Sequence, residues 1–432
     1  MPALVASVLV MLSGSGRSSG LSRRRARPGM LERCCPDGVS ETSNRRRSAV
    51  LTVRVMSPSR SMRSSSGVVL RMRRTDTPPG RSPGALTYVE GNLVQIPAVE
   101  TADYHTGGEP FRIVAESPVP IPGDSVADRR ARAIADPVVD GLRQVLCFEP
   151  RGHADMYGCF VTPPDDAGAD FGVLFWHKDG FSTACGHGTM ALGVWAVESG
   201  RVIQDQSGVT DVTIDVPSGR VVARVRTEAG HVTGVDFVNV PSYVLATDVE
   251  TETSRGRVSV DIGYGGAIYA HLRAADVGLA VEPGNANELI AIGREVKWAL
   301  NESKYAQHPR DSRLNGIYGT ILFDELGENP DGGLHQRNAT IFADGELDRS
   351  PCGSGSASRV AVLAGRGALK PGKKLVHDSI VGSRFVCAIV GEATADGFDA
   401  IIPAVTGMAY RYGSSQFTVD PRDPLVPGFV LR

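Results

Sequence analysis

The sequence predicts an α/β fold of the α+β kind, made of two related lobes behind a separate N-terminal tail. Three observations carry this expectation. Short β-type runs alternate with helical ones from about Asn92 onward, a pattern of mixed layers. A cysteine–glycine segment occurs twice, at Cys185 and again 167 residues later at Cys352, about one domain length apart. The charge is also split: residues 1–86 hold 16 Arg, no Lys and four acids.

That tail carries +12, which leaves −14 on the remainder of a chain whose formal total is −2. It reads SRRRARP, NRRRSAV and SPSRSMRSSSG, with few aromatics and no sustained period. Such a stretch buries too little apolar surface to offset chain entropy, so residues 1–90 are expected to be disordered. Residues 3–12 form an apolar run of signal-peptide length with no Lys or Arg before them. The Arg- and Ser-rich stretch after them has transit-peptide composition. An unstructured extension, or upstream sequence ahead of a later true start, accounts for the same composition.

The acidic body argues against nucleic acid as the partner, because phosphate binding needs clustered Lys and Arg. No run of roughly 18 apolar residues is present to cross a membrane as a helix. The seven cysteines have no Cys-x-x-Cys pair and no zinc spacing, so neither a metal nor a disulfide framework is expected.

VLFWH, VTIDV, VDFVNV, VSVDI, TILFD, RFVCAIV and DAIIPAV have strand character. Residues 125–146 have helical spacing interrupted by Pro137, which must break or kink the run. Residues 285–304 read as a better helix.

The echo decides the chemistry. Residues 182–200 are STACGHGTMALGVWAVESG and residues 349–367 are RSPCGSGSASRVAVLAGRG. Each has Cys-Gly-x-Gly-[Thr/Ser], then an apolar run of helical spacing, then a closing glycine. A cysteine at a helix start meets unpaired N–H groups and the positive end of the dipole, so its thiol pKa is expected to fall. The glycines let N–H groups approach a carboxylate. Two such turns facing each other suit one reaction: a thiolate removes a Cα proton and a thiol on the other face returns one. The carbanion's charge spreads onto a carboxylate already held by donors, and no cofactor is expected. Asp348 is placed to meet a substrate ammonium, or else to cap the following helix. His187 is placed to help on the Cys185 side. The turns at 103–109 and 149–153 either line a pocket or fix local structure. His105 and His153 read as structural, and Arg151 as a partner for Glu149. Cys147, Cys159 and Cys387 lie in apolar runs and read as small buried hydrophobes.

DYHTGGEPFRIV (103–114), FEPRGHADMYG (148–158), ADFGVLF (169–175), CGHGT (185–189) and DRSPCGSG (348–355) resemble the proline racemase family. That family includes proline racemases, 4-hydroxyproline 2-epimerases and trans-3-hydroxy-L-proline dehydratases. The resemblance runs from about Ile96 to the C-terminus. It implies a diaminopimelate-epimerase-like fold, each lobe a sheet wrapped round a central helix, with the active site in the cleft between lobes. The expected division is 91–235 plus about 410–432 for the lobe carrying Cys185, and 236–409 for the lobe carrying Cys352. The resemblance also implies that Cys185 and Cys352 are the catalytic thiols. Gly186, His187, Gly353 and Ser354 fall on substrate-binding positions, and Asp348 on the residue that meets the amine. A cofactor-free homodimer is implied, and the cytoplasm is expected because the chemistry needs reduced thiols.

Within the family, Tyr157 and GIYGTIL (316–322) look more like the dehydratases, which carry Thr in place of the second cysteine. Cys352 favours inversion. The 4-hydroxyproline epimerases have Ser where His153 stands and a smaller residue where Tyr157 stands, and a bulky Tyr157 would crowd a 4-hydroxyl. Ala184 departs from the Met usual before the first cysteine. The expected order is therefore proline racemase, then 4-hydroxyproline 2-epimerase, then dehydratase.

Overall fold

A computed structural model describes residues 97–431 together with the backbone of a short hairpin, Thr87–Val89 paired antiparallel with Asn92–Gln95. The tail expected to be disordered lies outside the described residues, except that regular backbone already begins at Thr87, before the expected limit of 90.

Among the described residues five α-helices stand among the strands. α1 (Val126–Ala135) starts at Ser125, whose hydroxyl accepts from the Asp128 N–H at 3.2 Å. Pro137 breaks the run as expected. It opens α2 (Pro137–Cys147) from its first turn, with Asp136 as N-cap to Val138 and Val139, the position where a missing N–H costs nothing. α3 is Gly186–Glu198, α4 is Ala286–Asn301 and α5 is Gly353–Gly365. The seven runs read as strands all lie within strands, apart from the last two residues of VDFVNV.

The strands repeat one pairing scheme twice. In the first half Glu109–Val114 pairs parallel with Gly158–Thr162, which pairs antiparallel with Phe171–His177, which pairs parallel with Val209–Val216. In the second half Ile268–Arg273, Ile317–Glu328, Leu334–Phe342 and Lys374–Ser379 follow the same parallel–antiparallel–parallel order. Parallel neighbours need long crossovers, and the crossovers are the helices: α1 and α2, then α3, in one half, and α4, then α5, in the other. The halves are stitched together where His231–Val238 pairs with Phe398–Gly407.

α3 and α5 each fill the inside of one half-sheet. Gly186 to Ala196 and Gly353 to Leu363 are buried without a break, as befits helices that are apolar or small nearly all round, with His187 and Arg359 as buried exceptions. α3 packs on Val209–Val216, Gly219–Glu228, His231–Val238 and Ala409–Phe417, and α5 on Ser242–Thr253, Gly256–Tyr264, Arg384–Ala395 and Phe398–Gly407. Among the described residues no helix is long and apolar enough to cross a membrane.

Leu192, on α3, is fully buried. Leu192→Ala is expected to lower unfolding free energy by about 2–5 kcal/mol, read as a shift of the denaturant midpoint with an unchanged slope.

Candidate active site

The two central helices meet end to end. A Cβ added to Gly186 would lie 2.6 Å from the Gly353 Cα, and the reverse holds for Gly353. No side chain fits there, so glycine at both positions lets the two N-termini touch. Their unpaired N–H groups and the positive ends of their dipoles therefore converge on one place.

Each cysteine is the N-cap of its helix. The Cys185 Sγ accepts from the Gly188 N–H at 3.2 Å and lies 3.4 Å from His187 Nε2. Cys352 is held differently, at φ 61° and ψ 110°. A non-glycine residue in that region costs on the order of 1–3 kcal/mol. Its Sγ lies 3.9 Å from the Tyr269 hydroxyl. A second glycine sits against each sulfur: a Cβ on Gly188 would approach the Cys185 Sγ to 2.7 Å, and one on Gly355 the Cys352 Sγ to 2.9 Å.

Cys185, His187, Asp348, Cys352 and Ser354 line one small cavity, with Gly186 and Gly353 at the helix contact beside it. All seven residues singled out in the sequence are thus brought together. About 10 Å³ of the cavity is open to the centre of a water molecule, roughly the room one water needs. Asp348 is not a helix cap. Its carboxylate accepts from the Ser350 N–H and hydroxyl at 2.8 and 2.7 Å, and the Ser350 hydroxyl accepts from the Cys352 N–H at 3.0 Å.

Burial sets the ionisation here. It pushes both thiols up, and the Asp348 charge adds to the rise; the Gly188 and Gly355 amides pull the other way without prevailing. The lowered thiol pKa expected from the helix ends is therefore not what the folded chain produces. Burial also raises Asp348 to about 6, against the pull of the Ser350 hydrogen bonds, and drops His187 to about 3. His187 is thus neutral, and its 3.7 Å approach to Asp348 is not an ion pair.

Sequence reasoning missed part of the lining. Tyr269 and Tyr318 reach the cavity from strands of the second half, beside Tyr157. The Tyr157 hydroxyl bonds to the Ser182 hydroxyl and to that of Tyr318 at 3.0 Å. A tyrosine in an apolar strand gives no local sign that its hydroxyl faces a site.

The other polar turns do not line this cavity, although the Thr106 hydroxyl donates to the His187 carbonyl at 2.9 Å. His105, Gly108, Glu149, His153 and Arg349 line a separate open groove. Arg151 donates to the Val145 and Pro427 carbonyls and approaches Asp423 at 4.0 Å, rather than pairing with Glu149. Glu109 is fully buried and accepts from the Arg349 N–H at 2.8 Å. His177, Asp179 and Glu346 bring one ligand-type atom each within 4.8 Å of one another. The Lys178 ammonium, 2.6 Å from Asp179 and 3.8 Å from Glu346, supplies the counter-charge there.

Two half-sheets, each round a helix that starts with a thiol, and both thiols on one buried cavity, define an epimerase-like two-lobed enzyme. The chain belongs to the proline racemase family, whose model, described as proline racemase, matches residues 101–430. It is 45% identical to a trans-3-hydroxy-L-proline dehydratase of Burkholderia cenocepacia, over 78% of this chain and 98% of the relative. It is 44% identical to a 3-hydroxyproline 2-epimerase of Burkholderia multivorans, with the same coverage. Among solved structures it is similar to a hydroxyproline epimerase from Agrobacterium vitis with bound trans-4-hydroxy-L-proline. That match has 33% identity and a TM-score of 0.71, covering 77% of this chain and 96% of the other.

The raised Asp348 pKa has a stability consequence. A carboxyl whose folded pKa lies above its unfolded value stabilises the fold when protonated. That contribution is complete below about 3.8 and is lost as pH rises through about 6. Asp348→Asn is therefore expected to raise the melting temperature at pH 8, by an amount equivalent to roughly 3 kcal/mol, and to lose most of this advantage at pH 4. Thermal melts of both proteins across that range check it.

Proposed function

We propose that this protein inverts the α-carbon of proline or a hydroxyproline by a two-thiol mechanism without a cofactor, with proline the first-ranked substrate. The observation that carries the reading is the meeting of two cysteine-capped helix N-termini on one buried cavity.

The substrate carboxylate lies against the N–H groups of Gly186, His187, Gly353 and Ser354, at the convergent dipole ends. Asp348, ionised above about pH 6, takes the ring ammonium. One cysteine as thiolate breaks the Cα–H bond and forms its own S–H bond. The electron pair left on Cα spreads into the carboxylate, whose growing charge the same N–H groups hold. The other cysteine then gives its proton to the opposite face and is left as thiolate. Burial makes each thiolate scarcer and also a stronger base, which suits so weak a carbon acid.

The chain divides, in this reading, into a lobe of 91–235 plus about 410–432 and a lobe of 236–409, with the cavity between them. Family resemblance supports a homodimer, and the need for reduced thiols supports the cytoplasm. Tyr157 on the cavity wall supports proline over a 4-hydroxylated ring, with 4-hydroxyproline 2-epimerisation as the second reading. Dehydration of trans-3-hydroxy-L-proline is the third. It begins with the same proton abstraction, and relatives of that name reach 45% identity; Cys352 stands against it.

Proton NMR in D₂O with L-proline, trans-4-hydroxy-L-proline and trans-3-hydroxy-L-proline separates the three. Loss of the proline Cα–H signal with decay of optical rotation to zero is expected. A new diastereomer confined to the 4-hydroxy substrate, or a dehydrated product from the 3-hydroxy substrate, would overturn the ranking. Cys185→Ser and Cys352→Ser are each expected to reduce inversion by at least about a hundredfold, the scale of losing a general acid–base group.

A further inference from the structure

We propose that Ser356, Asn338 and His377 form a buried clamp that positions the Cys352 thiol, by fixing the carbonyl of Pro351 immediately before it. The inference rests on the two-thiol reading above.

The clamp is a closed ring of hydrogen bonds. The Pro351 carbonyl accepts from the Ser356 hydroxyl at 2.9 Å and from the Asn338 side-chain amide at 2.8 Å, which uses both of its lone pairs. His377 lies behind both donors: its Nδ1 is 2.8 Å from the Ser356 Oγ, and its Nε2 is 2.8 Å from the Asn338 Nδ2. One neutral tautomer supplies all four of these contacts, while the Asn338 Oδ1 is left without a hydrogen-bond partner. Nδ1–H donates to the Ser356 hydroxyl, which donates to Pro351; the amide of Asn338 donates one hydrogen to Pro351 and turns the other to the imidazole, lying 2.8 Å from Nε2 and 3.1 Å from Nδ1. All three side chains are fully buried. They come from three elements, α5 and the strands Leu334–Phe342 and Lys374–Ser379.

Cys352 needs such a clamp and Cys185 does not. Cys352 is held at φ 61°, a conformation it leaves unless neighbours over-determine it. Cys185 is extended, at φ −155°. The residues four positions after each cysteine differ accordingly. The Thr189 hydroxyl turns back to the carbonyl of Cys185 itself, whereas the Ser356 hydroxyl reaches past Cys352 to Pro351. The clamp therefore acts on one face of the substrate only.

That one-sidedness gives the test. Kinetic isotope effects on kcat/KM are measured with α-deuterated L- and D-substrate, using whichever epimeric pair the enzyme turns over. Cys352→Ser marks the direction in which Cys352 removes the proton, by making the isotope effect larger in that direction and smaller in the reverse. Ser356→Ala is expected to skew the pair in the same sense, to lower kcat roughly fivefold with little change in KM, and to be rescued by Ser356→Thr. His377→Gln is expected to skew it likewise. General loosening of the fold touches both thiols alike and leaves the two isotope effects matched. Matched effects in both Ser356→Ala and His377→Gln, beside a skewed Cys352→Ser, would overturn the clamp. A Cys352→Ser enzyme that inverts at full rate with matched effects would instead overturn the two-thiol reading.

Discussion

Everything distinctive about the site follows from two helix N-termini in direct contact. Each end carries about half a positive charge in unpaired N–H groups, and both ends are buried. Like partial charges brought together away from water repel strongly unless an anion sits near them. The fold supplies an acidic group in the right place: Asp348 is on the cavity wall. A substrate carboxylate between the helices would serve the same purpose. The glycine–glycine contact is thus a steric condition with an electrostatic consequence.

The cost of this arrangement appears in the ionisation of the groups around it. Both thiols and Asp348 are pushed up and His187 is pushed down, in each case first by burial. Glu109 is pushed up by burial and by Asp348. The thiolates, the Asp348 carboxylate and the His187 imidazolium are each forms the folded chain disfavours. The thiols and His187 are therefore held neutral at neutral pH, and the strain at Cys352 and the charge on buried Asp348 make this a region that is costly to fold. The all-buried helices behind it and the doubled sheet around it offset that cost through apolar burial.

The fold was largely legible because its signals are local. Alternation marked the strands, Pro137 marked a helix start, and the recurrence at Cys185 and Cys352 marked both the duplication and the cavity on which the two cysteines meet. What stayed hidden was tertiary. Tyr269 and Tyr318 come from strands whose apolar texture says only that they are buried. Arg151 was assigned to its nearest acid in sequence, but its donors meet the Val145 and Pro427 carbonyls. The thiol pKa was misjudged for the same reason: the helix end is written in the sequence, whereas the desolvation that outweighs it exists only once both half-sheets close round the helices.

The two copies also show how little a shared motif fixes by itself. Both read Cys-Gly-x-Gly at the start of a buried helix, yet one cysteine is extended and receives the Gly188 amide and the His187 ring, while the other is held in a positive-φ conformation. The residues before the cysteines differ, Thr183-Ala184 in one and Ser350-Pro351 in the other. Proline brings no N–H of its own, so its carbonyl is the nearest backbone handle on the strained residue after it. Asp348 and Ser350 hold the Cys352 N–H side through the hydroxyl of Ser350, and Asn338 and Ser356 hold the carbonyl of Pro351. In the proposed inversion the two bases must differ in position, and the same four-residue pattern supplies two positions on one cavity because its surroundings bend it two ways.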